Sequence, residues 1–181
     1  ANRGYNLIIG NGYPFTDALV EVSEEYPDVM FVGTNQPSAG PNLMSARLVF
    51  GPDGYLAGTL AGDMTKTKKI GAIYATESAH VNTEIDNMRA HLQEIDPEIE
   101  LFDVYTGDWV DVTKAKQAAS ALVDDGCDII VNSINGATSA IAQLAVERGG
   151  FYVIGWTGDE AHINPDVILG SFLRFNLLSC C

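Results

Sequence analysis

The sequence predicts an α/β protein built from doubly wound parallel sheets. Strand and helix signals alternate almost without interruption along its 181 residues. The strand runs are apolar at successive positions, and nearly every one is followed by an amphipathic segment. Strands apolar on both faces belong in parallel sheets with helices on either side.

Asn6-Leu7-Ile8-Ile9-Gly10 is a short apolar run closed by glycine and reads as the first strand. Phe15, Ala18, Leu19, Val22 and Tyr26 then recur at helical spacing until Pro27 stops the helix. Val29–Val32 is the next strand, and the Pro-, Ser- and Gly-containing stretch from Asn35 to Ser45 is a loop. Arg47–Phe50 reads as a strand. Pro52-Asp53 opens a helix that runs to about Met64, with proline in the first turn where its missing N–H does no harm.

Thr65–Lys69 is a basic connector that looks like a crossing between two α/β units and a hinge for their closure, with a second hinge near Gly170–Arg174. Ile70–Ala75 is then a strand. The stripe Val81, Ile85, Met88, Leu92, Ile95 marks a helix ended by Pro97. Strands over Ile99–Tyr105, Asp128–Asn132, Phe151–Trp156 and Val167–Leu173 follow, with helices over Val112–Asp125 and Thr138–Arg148 between them.

Right-handed crossovers put every carboxyl-end turn of such a sheet on one edge, where open α/β sheets bind ligands. The turns here are Gly10-Asn11-Gly12-Tyr13, Gly33-Thr34-Asn35, Thr106-Gly107-Asp108-Trp109, Ser133-Ile134-Asn135-Gly136 and Thr157-Gly158-Asp159. Glycines, amides, hydroxyls and aromatic rings suit a small polar ligand held by backbone donors, side-chain hydrogen bonds and stacking. Tyr13 and Trp109 are read as stacking rings rather than core, because two aromatics share that edge beside glycine turns.

Other chemistries fit less well. Gly10-Asn11-Gly12 follows a strand, but Phe15 stands where a dinucleotide fingerprint has its third glycine, and Asn35-Gln36 end the next strand without an acid. No phosphate loop and no nucleophile elbow is present. Asp159, Glu160 and His162 are read as a polar loop, not a metal or acid–base cluster, and no cofactor is expected. Cys127 stands alone, and adjacent Cys180 and Cys181 are poorly placed to bridge each other.

Ten basic residues against 24 acidic ones give a formal charge of −14, a field that repels nucleic acid and anionic lipid. No 18-residue apolar run offers a membrane span. The chain opens directly on a strand with no signal-type stretch before it, and it reads as a fragment.

Several stretches together resemble one family. Gly4-Tyr5-Asn6-Leu7-Ile8-Ile9-Gly10-Asn11-Gly12-Tyr13 and Tyr26-Pro27-Asp28-Val29-Met30-Phe31 look like its first-lobe core. Asp53-Gly54-Tyr55-Leu56-Ala57-Gly58 and Met64-Thr65-Lys66-Thr67 resemble its helix and crossing. Tyr105-Thr106-Gly107-Asp108-Trp109-Val110-Asp111 resembles its aromatic turn, and Ile154-Gly155-Trp156 continues the match. These are the basic membrane proteins, PnrA-like substrate-binding lipoproteins of ABC importers, many of them for purine nucleosides.

The resemblance implies a type I periplasmic-binding-protein-like fold of two lobes, truncated here at both ends. Residues 1–66 would be the remainder of the first lobe, 67–168 the second, and 169–181 a strand returning toward the hinge. It implies an extracytoplasmic, non-enzymatic receptor that binds a nucleoside-like solute in the inter-lobe cleft and hands it to ABC permease subunits. A membrane link would come only through an N-terminal lipid outside this sequence.

The ligand-facing set would be Asn11, Tyr13, Asn35, Trp109, Asn135, Gly136, Thr157, Asp159 and Arg174. Tyr13 and Trp109 fall near the base, and Arg174 falls at a ligand-meeting lysine, its alternative use being a pair with Asp159. Asn35 and Thr157 stand where nucleoside binders carry aspartates, with Asp159 a stand-in two residues on. The alternative reading is the ligand-sensing part of a cytoplasmic transcriptional regulator with the same fold.

Overall fold

The computed structural model describes residues 2–46, 51–156 and 158–172. The described residues up to 46 form one compact unit, and those from 51 to 172 a second.

The smaller unit is a three-stranded parallel sheet, order β1-β2-β3, with β1 Leu7–Asn11, β2 Met30–Thr34 and β3 Leu43–Ala46. Helix α1, Thr16–Glu25, covers one face, where Leu19 packs with Phe31 and Leu43. The other face leaves Leu7, Ile9, Met30 and Met44 exposed. Strand β3 begins inside the stretch read from sequence as a loop and ends one residue beyond it. Its four residues carry little β signal of their own, and pairing with β2 makes them a strand. The Arg47–Phe50 strand lies outside the described residues.

The larger unit is a three-layer sandwich around five parallel strands in the order β5-β4-β6-β7-β8. These are β4 Lys69–Tyr74, β5 Glu100–Tyr105, β6 Ile129–Asn132, β7 Tyr152–Trp156 and β8 Ile168–Phe172. Helices α2, Gly51–Met64, and α3, Ala79–Ile95, cover one face. On that side Ala57, Ala61, Val81, Ile85, Met88 and Leu92 pack over Ile70, Ala72, Val131 and Ile154. Helices α4, Val112–Asp124, and α5, Thr138–Arg148, cover the other, packing over Ile73, Ile130 and Val153. Here the two-faced burial expected of parallel strands is met.

Two features set how α2 sits. Gly54 and Gly58 lie against the α3 backbone: a Cβ on Gly58 would meet the Met88 carbonyl oxygen at 3.2 Å, and one on Gly54 would collide with that of Glu84. The second is the connector after α2. Asp128, nearly buried at the head of β6, accepts from the Thr65 hydroxyl at 2.6 Å, Lys66 N–H at 2.6 Å and Thr67 N–H at 3.0 Å. Lys68 takes a left-handed φ of 62° while its N–H donates to Thr65 Oγ1.

Thr65–Lys69 was expected to be a crossing and a hinge between lobes. It joins α2 to β4 inside the larger unit, and a buried carboxylate pins it. Residues 168–172 extend the larger sheet as β8, parallel to β7. Leu173 and Arg174, at the other expected hinge, lie outside the described residues.

Two stability outcomes follow. Asp128→Ala leaves two backbone N–H groups without their acceptor and is expected to destabilise by about 2–4 kcal/mol in urea unfolding; a change under about 0.5 kcal/mol would show that the connector does not depend on that carboxylate. Helix propensity alone favours Gly→Ala by about 1 kcal/mol. At Gly62 the new methyl meets only side-chain tips of Ile95 and Leu92, so that substitution should be near neutral. At Gly54 the collision is with backbone, and Gly54→Ala should destabilise by about 1–3 kcal/mol.

Candidate functional site

The carboxyl ends of both sheets carry the polar and aromatic residues singled out in the sequence. In the smaller unit Asn11 closes β1, and its Oδ1 accepts from the Thr34 hydroxyl at the end of β2. Gly12 N–H donates to Thr34 Oγ1 at 3.1 Å and to its carbonyl. Tyr13 opens a short 3₁₀ turn, Tyr13–Phe15, with its ring half exposed. Asn35 takes a φ of 54°, and its N–H is held by the Ala46 carbonyl at 2.8 Å. An amide-bearing residue tolerates that left-handed backbone better than most. Asn11, Tyr13 and Asn35 thus share one edge, with Thr34 linking the first to the strand that precedes the third.

In the larger unit the β5 turn is shaped by its own acids. Asp108 Oδ1 accepts from Val110 N–H at 2.8 Å and Asp111 N–H at 3.2 Å, and Thr106 Oγ1 donates to the Asp108 carbonyl at 2.9 Å. Asp111 caps α4 through Lys114 N–H. These carboxylates fold the loop back on itself and leave Trp109 at its tip, 36% exposed. The Trp109 carbonyl accepts from Asn135 N–H at 3.0 Å. This bond joins the β5 turn to the β6 turn, where Gly136 adopts a φ of 71°. Trp109 also faces Trp156, at the end of β7, with ring centroids 6.4 Å apart and planes tilted by 30°.

Trp156 was not among the expected site residues, although strand alternation could have found it, because it ends a strand on this same edge. Tyr74 and Tyr105 end β4 and β5 in register, with ring centroids 6.3 Å apart. Burial, and then the nearby Asp103 and Glu77 carboxylates, push the Tyr105 phenol above its usual range. It stays a protonated donor at neutral pH.

The Asp159 loop is largely self-contained. Asp159 Oδ1 accepts from Ala161 N–H at 3.2 Å, and its carbonyl lies 2.9 Å from His162 Nδ1. Glu160 turns inward, accepting from Trp156 N–H at 3.2 Å while its own N–H donates to Ser171 Oγ at 3.0 Å. Gly155 leaves the room that carboxylate occupies. The trio therefore builds a loop, and no metal-sized group of three His, Cys, Asp or Glu occurs among the described residues. Thr157 and Arg174 lie outside the described residues, as does any pairing of Arg174 with Asp159.

The opposite, amino-end edge holds a cleft of about 370 Å³, lined by Met64, Thr67, Asp128 and Tyr152 among others. Its Asp128 carboxylate is already committed to the connector. Cys127 is buried, and desolvation raises its thiol pKa to about 11, which suits a packing role.

The family model described as "ABC transporter substrate-binding protein PnrA-like" matches residues 1–174. The chain is 28% identical over 172 residues to the transcriptional activator protein med of Bacillus subtilis, covering 95% of this chain and 53% of that protein. It is 28% identical over 169 residues to a purine-binding protein of Brucella abortus, covering 93% and 47%. A solved ABC transporter solute-binding protein from Aeropyrum pernix superposes with a TM-score of 0.82 at 19% identity, covering 95% of this chain and 51% of that one, and shares the fold. The chain spans about half the length of these relatives.

The paired indoles carry a spectroscopic prediction. These are the chain's two tryptophans, and at 6.4 Å their transitions should couple. Trp109→Phe and Trp156→Phe should each abolish the same exciton couplet in the circular dichroism spectrum. A couplet that survives either substitution would mean the rings do not meet in solution.

Proposed function

Because the chain belongs to the PnrA-like family of ABC transporter substrate-binding proteins, we propose that it is part of an extracytoplasmic receptor that binds a purine nucleoside or a related small polar solute. The receptor catalyses nothing. It holds the solute reversibly and presents the loaded form to ABC permease subunits. The observation that carries this reading is the Trp109–Trp156 pair at the carboxyl edge, beside the amide and glycine turn of Asn135 and Gly136. Indole faces hold a flat base by stacking, and backbone N–H groups in a glycine turn serve its polar edge. The purine-binding relative supports the same solute class.

Asn35 shifts the expected hydrogen bonding at the smaller sheet. A carboxylate only accepts, whereas an amide both donates and accepts. A solute oxygen as well as a solute N–H can pair there.

A second reading rests on one finding, the similarity to the med activator over 95% of this chain. On that reading the same solute-binding unit senses a ligand inside the cell. An export signal with a lipobox cysteine upstream, and recovery of the full-length protein outside the cytoplasm, would support the receptor. A DNA-binding helix-turn-helix upstream would support the sensor.

A thermal-shift screen of the full-length protein against nucleosides, bases, sugars and amino acids tests the solute class. Purine nucleosides are expected to raise Tm, and a shift confined to sugars or amino acids would overturn the nucleoside reading. Trp109→Ala should weaken nucleoside binding by about 1–3 kcal/mol. The fold should survive, because the ring sits at a loop tip. Undiminished affinity in a folded variant would remove Trp109 from the site.

A further inference from the structure

The carboxyl edge of the five-stranded sheet ends in a row of side chains with one member unlike the rest. Register pairs Tyr105 with Tyr74 and Trp156 with Phe172. Between them runs β6, whose Val131 pairs with Ala72 on one side and Ile154 on the other. Two residues further along every strand the row becomes Tyr105, Tyr74, Ser133, Trp156 and Phe172. The Ser133 N–H bond to the Ile73 carbonyl, at 2.9 Å, keeps Ser133 at this level. Alternation puts its side chain on the face of Val131, Tyr74 and Phe172, the α2–α3 side of the sheet. A serine flanked by aromatic side chains notches the row at its central strand.

Its hydroxyl is also unanswered. Ser133 is 3% exposed, and its Oγ is buried with no hydrogen-bond partner among the described residues. On its own face, the hydroxyl of the neighbouring Tyr74 donates to Glu84 Oε1 at 3.2 Å, and the adjoining turns satisfy their own polar groups. Asn132, fully buried, donates to the Ile134 carbonyl and to Thr138 Oγ1, both at 3.0 Å, and accepts from Ile134 N–H at 3.1 Å. Thr106 bonds the Asp108 carbonyl at 2.9 Å. A hydroxyl desolvated without a partner destabilises a fold, and such groups are rare in native structures. The Ser133 hydroxyl is covered in this structure, so a ligand would answer it by displacing the side chains that cover it.

We propose that Ser133 is a specificity-determining residue of the solute site, its hydroxyl pairing with a hydrogen-bonding atom on the edge of a planar heterocycle seated between the aromatic residues of this row. This rests on the receptor reading above and names the residue that reads the base edge. A hydroxyl donates and accepts, so it matches either a ring nitrogen or a ring N–H. An aliphatic sugar or amino acid would lack the flat edge that fits between rings.

The test uses the full-length protein with adenosine, inosine and purine riboside, each titrated calorimetrically, and apo melting temperatures measured in parallel. Ser133→Ala removes the unanswered hydroxyl, so the apo protein should melt no lower than wild type, and higher if the burial penalty is relieved. The same substitution should weaken the best-bound purine about tenfold, the loss of one neutral hydrogen bond. Ser133→Thr, which keeps the hydroxyl, should retain more affinity than Ser133→Ala. Opposite signs for stability and affinity are what a purely structural serine would not give. Unchanged affinity in Ser133→Ala, or a lowered apo melting temperature with affinity intact, would overturn the proposal. Failure of wild type to bind any of the three would instead overturn the nucleoside reading, and this role with it.

Discussion

The larger unit depends on one carboxylate. Asp128 stands at the head of the central strand β6 and collects the Thr65 hydroxyl and the N–H groups of Lys66 and Thr67. Its backbone N–H donates to the Lys69 carbonyl, and its own carbonyl accepts from Tyr152. One residue thereby ties the end of α2, the start of β4 and the start of β7 to β6. A carboxylate this nearly buried needs several donors to be tolerated, so the geometry is demanding and the connector has little freedom. With the connector fixed, α2 must lie along the sheet beside α3, and Gly54 and Gly58 allow the close approach.

That anchoring sits at the amino ends of the strands and frees the carboxyl ends for other chemistry. The strand cores are rich in Ile, Val and Ala on both faces, and they hold the carboxyl-end turns after β5, β6 and β7 side by side. Each turn then satisfies its own backbone. Asp108 and Asp111 fold the β5 turn, Asn132 folds the β6 turn, and Glu160 folds the β7 turn against Ser171. Most of the acids on this edge are therefore structural. What remains presented is aromatic rings, backbone amides in glycine turns and a few small polar groups, the features on which the proposed function rests.

Much of this was legible in the sequence, and the gaps have physical causes. Apolar runs such as Ile70–Ala75 and Asp128–Asn132 declared buried parallel strands, because such strands are apolar on both faces. Helix α3 was equally plain from its stripe at Val81, Ile85, Met88 and Leu92. Leu43–Ala46 was missed because an edge strand of four residues is made by its neighbour. The Thr65–Lys69 connector was misread as a hinge because its basic, hydroxyl-rich composition says nothing of Asp128, 60-odd positions away, whose carboxylate immobilises it. Trp109, Asn135 and Gly136 were singled out from turn chemistry, and the structure joins their two turns through the Asn135 N–H bond to the Trp109 carbonyl. Trp156 was not singled out, although it ends a strand on this edge; its pairing with Trp109 comes from turns far apart in sequence.

The chain's relatives include one named as a purine-binding protein and one named as a transcriptional activator, and a solute-binding fold suits both. On the receptor reading proposed above, the solute is held at carboxyl-end turns, which leaves the amino-end edge and the outward faces of the helices for other partners. A receptor and a sensor place the same demands on the edge: a flat solute must be stacked, its polar rim answered and water displaced. They differ in what reads the loaded state, which is a matter for surfaces away from the site. The chain as a whole carries a formal net charge of −14, which opposes direct contact with a phosphate backbone. A sensor built on this unit would have to reach DNA through a separate segment. A receptor needs only that its permease match an acidic surface, so the charge places the smaller demand on the transport reading.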